Sequence, residues 1–238
     1  MPVIQGDCRE VMARMDENSV DAIVTDLPYG STQNQWDVII PFEDLWKEYN
    51  RIRKINTPII LFGQGIFSAK LMMSNPKMWK YNLVWDKGNR PSGFLNANRM
   101  PLRDHEDILV FYEKPPTYNP QFIEGNPVHS RGDGKGVDHC YGKYGLSRED
   151  HGNKKFPTSI LRFDKEWPPV HPTQKPVALI EYLIKTYTNP GDVVLDSCCG
   201  SGTTGVACIR TKRNFICIEK EKNYYEMSTK RINEELIK

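Results

Sequence analysis

Residues 191–210, GDVVLDSCCGSGTTGVACIR, decide the fold. An apolar, β-branched run (Val193, Val194, Leu195) ends in Asp196, a glycine-bearing turn follows, and small residues then open a helical stretch from Thr203. Gly200, Gly202 and Gly205 spell G-x-G-x-x-G, a pattern that lets backbone turn tightly and come close to a ligand. The next strand, FICIE (215–219), ends in Glu219, whose carboxylate can accept hydrogen bonds from both ribose hydroxyls. Together these imply an adenosine-containing ligand. Asp196 narrows the choice, because a carboxylate attracts the ammonium group of a ligand such as S-adenosylmethionine and repels the pyrophosphate of a nicotinamide dinucleotide. Too few residues follow Glu219 to finish a dinucleotide domain, so this half must complete its sheet with strands from the N-terminal part.

Those strands are present. Short β-rich runs near 2–5, 20–25, 57–62, 80–86, 106–112, 192–196 and 214–218 alternate with helical patterns near 8–15, 43–54, 65–74, 176–187, 203–211 and 221–236. Such alternation predicts an α/β fold, a mostly parallel sheet of seven strands covered by helices on both faces. One interval breaks the pattern. Residues 114–169 are rich in Gly, Pro, Asn, His and aromatic side chains (YNPQF, RGDGKG, HCYGKYG) and show no sustained period, which marks them as an insertion between 1–113 and 170–238.

The second stretch that carries chemistry is SVDAIVTDLPYG (19–30), an apolar run that stops in Asp26-Leu27-Pro28-Tyr29. Ligands of open α/β sheets bind beyond the carboxyl ends of the strands, so this tetrapeptide and the glycine turn are expected to share one crevice. The Asp26 carboxylate and the Leu27 carbonyl are two acceptors suited to the hydrogens of an exocyclic amine, Pro28 stiffens the turn, and Tyr29 offers an aromatic face to an extruded base. By itself the tetrapeptide reads more readily as a plain turn, with Asp and Pro as turn formers. No Pro-Cys pair exists to supply the cysteine nucleophile that methylation at cytosine C5 requires.

Composition excludes several classes. The chain has 238 residues, 39% hydrophobic and 26% charged, with no apolar run long enough to span a membrane and no secretory pattern in MPVIQGDCRE, so a cytoplasmic protein is expected. A net charge of +2 argues against binding nucleic acid through bulk electrostatics alone. Locally, Lys87, Arg90, Arg99 and Arg103 concentrate positive charge between Asp86 and Asp104, where phosphates could be held. His129, His139, Cys140 and His151 crowd one segment, but their spacing matches no usual metal-ligand pattern, and no metal is expected.

Three motifs in order, Asp26-Leu27-Pro28-Tyr29, then His171-Pro172-Thr173-Gln174-Lys175-Pro176, then Asp196-Ser197-Cys198-Cys199-Gly200-Ser201-Gly202, resemble the β class of amino-methylating DNA methyltransferases. The resemblance covers residues 2 to 232 and is weakest over 114–168. It implies a Rossmann-like, circularly permuted methyltransferase fold that uses S-adenosylmethionine, acts on double-stranded DNA and carries a target-recognition segment at 114–169. Asp26, Leu27, Pro28 and Tyr29 match the catalytic D-P-P-Y motif, with Leu27 replacing its first proline. Asp196, Gly200, Ser201, Gly202 and the following Thr203 match the cofactor turn, where Cys198 takes the place of the usual aromatic. Glu219 matches the ribose acid, Asp7 with Cys8 resembles the contact to the cofactor adenine, and Thr173 with Lys175 look like the holders of the methionine carboxylate. Trp85, Lys87 and the loop to Arg103 look like a DNA-facing rim. An aspartate at the head of the tetrapeptide points to adenine N6, cytosine-N4 enzymes of the class more often starting it with serine. Cytosine N4, RNA as substrate, and a non-catalytic DNA-binding protein on the same fold remain as alternatives. The class commonly forms homodimers and serves restriction-modification systems, although no nuclease signature occurs in the chain.

Overall fold

The computed structural model describes residues 2–88, 90–125, 153–166 and 174–238, together with the backbone of 135–138 and 142–145. In chain order the elements are β1 (Val3–Gln5), α1 (Cys8–Met12), β2 (Ala22–Thr25), α2 (Phe42–Ile52), β3 (Ile59–Gly63), α3 (Ile66–Ser74), β4 (Trp79–Asp86) and β5 (His105–Phe111). Four short strands follow, β6 (Ile123–Glu124), β7 (Lys135–Asp138), β8 (Gly142–Gly145) and β9 (Lys154–Lys155). The chain closes with β10 (Ile160–Arg162), α4 (Val177–Tyr187), β11 (Val193–Asp196), α5 (Thr203–Thr211), β12 (Asn214–Glu219) and α6 (Lys222–Leu236). All seven strands and six helices expected from the sequence are found.

The sheet has eight strands rather than seven, in the order β1-β12-β11-β2-β3-β5-β4-β10. The additional strand, β10, pairs in parallel with β4 (Leu161 opposite Trp85) and comes from the stretch expected to be inserted. Three residues are too few to show a period, and what makes them a strand is the open edge of β4. Accordingly one compact unit comprises Met1–Asn119 with Ser159–Lys238, and a second, smaller unit comprises Pro120–Thr158. Within the smaller unit β6 pairs with β9, β7 pairs with β8, and Phe122 packs on Phe156.

Side-chain alternation in the central strands explains the two helical layers. Ala22, Val24, Ile60, Phe62, Ile108, Val110 and Val194 point to one face and pack with Leu179, Ile180, Leu183 and Ile184 of α4, Val206 of α5 and Ile232 of α6. Ile23, Ile59, Leu61, Leu109, Phe111 and Leu195 point to the other face, against Met12 of α1, Leu45, Trp46, Tyr49 and Ile52 of α2, and Phe67 and Leu71 of α3. Apolar residues on both faces are what a mostly parallel sheet requires, since helices cover it twice. Only β5 runs antiparallel within this sheet, to both β3 and β4. No helix among the described residues is long and apolar enough to cross a membrane.

Two of the motif glycines serve this packing. A Cβ on Gly202 (φ 76°) would stand 2.9 Å from Ser228 Cβ, and one on Gly205 would run into Ile232 Cδ1, so both open the way for α6 to lie on the turn and on α5. Gly205→Ala is therefore expected to destabilise the fold by about 1–3 kcal/mol in urea unfolding, through overpacking against Ile232. An unchanged midpoint would show that α6 can move away freely.

Candidate active site

Because nearly all strands of the sheet point one way, the ends of β1, β2, β11 and β12 and the start of antiparallel β5 lie along one edge. A cavity of about 590 Å³ opens there, lined by Asp7, Cys8, Asp26, Leu27, Pro28, Tyr29, Lys175, Asp196, Cys198, Gly200, Ser201, Thr203 and Glu219. It sits where β11 and β2 meet, β11 handing on to β12 on one side and β2 to β3 on the other. That is the topological switch point of the sheet.

The glycine-turn side of the cavity is built from backbone held by carboxylates. Glu219 accepts from Gly200 N (2.8 Å) and Glu221 N (2.8 Å), so the acid at the end of β12 also fixes the turn after β11. Asp196 is buried and accepts from Thr25 Oγ1 (2.8 Å), Thr204 Oγ1 (2.6 Å) and Cys198 N (3.2 Å). All three partners are neutral, and burial pushes its carboxyl up to about 6. A ligand ammonium is the group that would relieve that cost. Asp7 caps α1 and accepts from Arg9 N (3.1 Å) and Arg9 Nε (3.0 Å), and the Arg9 hydrogen bonds lower its carboxyl to about 2. Cys8 and Cys198 both line the cavity wall. Arg231 of α6 donates to Ser201 O (3.2 Å) and Thr203 Oγ1 (3.0 Å), which steadies the turn from behind.

The tetrapeptide side is built around charge. Tyr29 Oη donates to Asp26 Oδ1 (2.7 Å) while the Tyr29 ring stacks on Phe67 at 4.6 Å. Lys175 Nζ, nearly buried, lies 2.5 Å from Asp26 Oδ2 and 3.1 Å from Glu106 Oε2, and faces the rings of Phe62 and Trp85. Lys87 Nζ lies 2.7 Å from the other Glu106 oxygen. Asp26, Lys175, Glu106 and Lys87 thus form one alternating row of charge, buried at the two lysines and half-buried at the carboxylates. Glu106 Oε2 is itself a buried acceptor without a hydrogen bond, off angle from Lys175. Burial pushes the Asp26 carboxyl up, Lys175 pulls it back, and the neighbouring Glu106 adds to the rise. Burial opposes charge on Lys175, but Asp26 and then Glu106 outweigh it and keep the ammonium protonated.

These positions differ from expectation at several residues. Lys175 was expected beside a ligand carboxylate, and it is engaged instead by Asp26 and Glu106. Lys87 was expected on a DNA-facing rim, and at 1% exposure it points inward to Glu106, as its neighbour Trp85 points inward to Phe163 O. The remaining rim residues Arg90, Arg99 and Arg103 are exposed. Gly202 faces α6 rather than the cavity. Leu27 buries its side chain with the core beneath α1 to α3. Thr173 and the His129, His139, Cys140, His151 group lie outside the described residues.

Three contributors were not foreseen. Glu106 starts a strand, and only the antiparallel course of β5 brings a strand start to the catalytic edge. Asp37 accepts from the backbone of Gly30 (2.8 Å), Ser31 (2.9 Å) and Thr32 (2.7 Å), closing the loop that leaves the tetrapeptide. Its place in a polar loop a few residues after a glycine was the available signal. Glu166 accepts from Val177 N (2.7 Å) at the start of α4 and from Gln174 Nε2 (2.5 Å), which orients the segment carrying Lys175.

A family profile described as DNA methylase, spanning the N6 and N4 amino-methylating enzymes, matches residues 20–230. The chain belongs to this family. Across 98% of its length the methylase is 28% identical to the Type II methyltransferase M2.MboI of Moraxella bovis, 87% of which is covered. It is 27% identical to the Type II methyltransferase M.HinfI of Haemophilus influenzae, over 98% of this chain and 68% of that protein. Among solved structures, M1.HpyAVI, crystallised as a SAM complex, superposes with a TM-score of 0.63 at 27% identity, covering 96% of this chain and 98% of that one. The cytosine-N4-specific PvuII DNA methyltransferase shares the fold, with a TM-score of 0.67 at 16% identity over 98% of this chain and 90% of that one.

In the methylase, Lys175→Met would leave two neighbouring carboxylates without the cation between them. The pKa of Asp26 then rises, and the acid limb of the methyl-transfer rate against pH should move up by about 1–3 pH units. A limb that stays in place would mean that the ionisation of Asp26 does not limit transfer.

Proposed function

We propose that this methylase transfers a methyl group from S-adenosylmethionine to adenine N6 in a short duplex DNA site, as the modification enzyme of a Type II system. The observation that carries the reading is the single cavity that joins Asp26 of the tetrapeptide to Asp196, Glu219 and the glycine turn. The donor set fits the cofactor. Asp196, buried among neutral partners, suits the methionine ammonium, Glu219 suits the ribose hydroxyls, and Asp7 and Cys8 flank the place for the adenine.

S-adenosylmethionine supplies an electrophilic methyl carbon whose bond pair stays with sulfur as nitrogen bonds to carbon. The chain's own residues do the rest, chiefly by orientation. The adenine amino nitrogen is a weak nucleophile while its lone pair is delocalised into the ring. Hydrogen bonds from its two hydrogens to the Asp26 carboxylate and the Leu27 carbonyl favour the pyramidal geometry that frees the pair. Asp26 already accepts from Tyr29 and Lys175, so an incoming amine shares or displaces one of them, and the surplus proton of the methylated nitrogen passes to this carboxylate. Tyr29, backed on one face by Phe67, offers its other face to the extruded base. Arg90, Arg99 and Arg103 face the phosphates, and the smaller unit, Pro120–Thr158, reads the bases.

Cytosine N4 is the competing target, because the fold also accommodates the cytosine-N4-specific PvuII enzyme. Mass spectrometry of nucleosides from DNA methylated by the protein decides between them. N6-methyladenine is expected, and N4-methylcytosine in its place would overturn the adenine assignment. Asp26→Ala is expected to lower the transfer rate at least about 100-fold while cofactor still binds.

Cofactor affinity should depend on pH with a defined sign. The bound ammonium requires Asp196 to be ionised, burial pushes its carboxyl up to about 6 in the free protein, and affinity is therefore full above that pH and lost as pH falls through it. Calorimetry from pH 8 to pH 5 should show a loss of about tenfold, absent in Asp196→Asn. A flat profile in the unmodified protein would remove Asp196 from ammonium binding.

A further inference from the structure

We propose that the loop from Arg90 to Arg103 is a DNA wedge, whose apolar tip enters the duplex and fills the space left by the target base. The proposal rests on the reading of the protein as a methyltransferase acting on an extruded base in duplex DNA. Its tip is unusual for a soluble surface. Leu95 is 101% exposed, Phe94 68% and Met100 54%, three large apolar side chains within seven residues of one another.

The loop is built to hold that tip out. Its neck is a two-way bridge, Ser92 N to Arg103 O at 2.7 Å and Arg103 N to Ser92 O at 2.8 Å. Gly93 takes a left-handed conformation (φ 95°) that starts the short 3-10 turn Phe94–Asn96. Further backbone bonds follow, Asn96 N to Gly93 O (2.9 Å), Ala97 N to Phe94 O (3.1 Å), Arg99 N to Asn96 O (2.8 Å) and Met100 N to Asn96 O (3.0 Å). A tip already folded into turns loses little conformational entropy on insertion. The neck is also anchored to the catalytic edge. Lys165 Nζ donates to Ser92 Oγ (2.8 Å), Arg103 Nη1 donates to Gln64 Oε1 (3.0 Å), and Ser92, Arg103 and Gln64 all line the cavity that holds Asp26.

Charge selects the occupant. Arg99 is exposed beside the apolar tip, and Arg90 and Arg103 are exposed at its neck, an arrangement that matches a gap between base pairs flanked by phosphates. A second copy of the chain packed on the same tip would bring two arginine rims together, which is unfavourable. Extruding a base costs the stacking and pairing it had in the duplex, and an apolar side chain placed in the vacancy recovers part of that cost.

The test uses the duplex site at which the protein is found to methylate, in two forms: fully paired, and with an abasic position opposite the target base. With Leu95→Ala and with Phe94→Ala combined with Leu95→Ala, kcat/KM on the paired duplex should fall at least about tenfold. On the abasic duplex, where pairing no longer resists extrusion, the loss should shrink to less than about threefold. Thermal stability and S-adenosylmethionine affinity should not change, because the substituted side chains are solvent-exposed. Met73→Ala, an equally exposed apolar residue on α3, should leave activity on both duplexes unchanged. An equal loss on both duplexes, no loss on either, or a dimer that dissociates on substitution would each overturn the wedge, the last by naming a second copy as the occupant. Absence of transfer by the unmodified protein to any DNA would instead overturn the methylation reading on which the wedge rests.

Discussion

The parallel pairing of β2 with β11 brings Ala22 opposite Val194 and Ile23 opposite Leu195, and it joins halves of the chain that lie far apart in sequence. Side chains reinforce it from both ends. Asp21 accepts from Val193 N (3.0 Å) at one end, and Thr25 donates to Asp196 (2.8 Å) at the other. Everything at the catalytic edge depends on this seam. It sets the tetrapeptide leaving β2 beside the glycine turn leaving β11, so both turns face one cavity. Each strand alone could satisfy its backbone with another partner, and the paired apolar faces, covered by α1 to α3 on one side and α4 to α6 on the other, fix this one.

A second layer of order comes from charge. Removing carboxylates and ammonium groups from water is costly unless they compensate each other, and Asp26, Lys175, Glu106 and Lys87 do so in alternation. The row ties together four separate elements: the end of β2, the segment before α4, the start of β5 and the end of β4. It also gives Asp26 a cation, Lys175, at 2.5 Å. A catalytic carboxylate left unpaired in the same burial would protonate and lose its use as an acceptor. Among the described residues, its counterpart Asp196 accepts hydrogen bonds from neutral donors, Thr25, Thr204 and the backbone of Cys198.

The sequence by itself determined the α/β class, the helices and strands of the main unit, and the meeting of the Asp26-Leu27-Pro28-Tyr29 turn with the glycine turn at one cavity. These rest on local periodicity and on motifs whose residues lie within a few positions of one another, so they survive without knowledge of neighbours. The roles of Asp196 and Glu219 as cavity acids were legible for the same reason, each standing at the end of a readable strand. Tertiary structure decided the rest. Lys175 reads as a holder of a ligand carboxylate and Lys87 as part of a DNA-facing rim, and both are drawn to Glu106, which arrives from an antiparallel strand that no local pattern announces. Gly202 and Gly205 read as ligand-binding glycines, and it is the approach of α6 that demands their missing Cβ atoms. The eighth strand exists only because β4 offers an edge. Where a residue's partner lies tens of positions away, its role is set by packing and charge compensation across the fold, and the sequence carries no local mark of it.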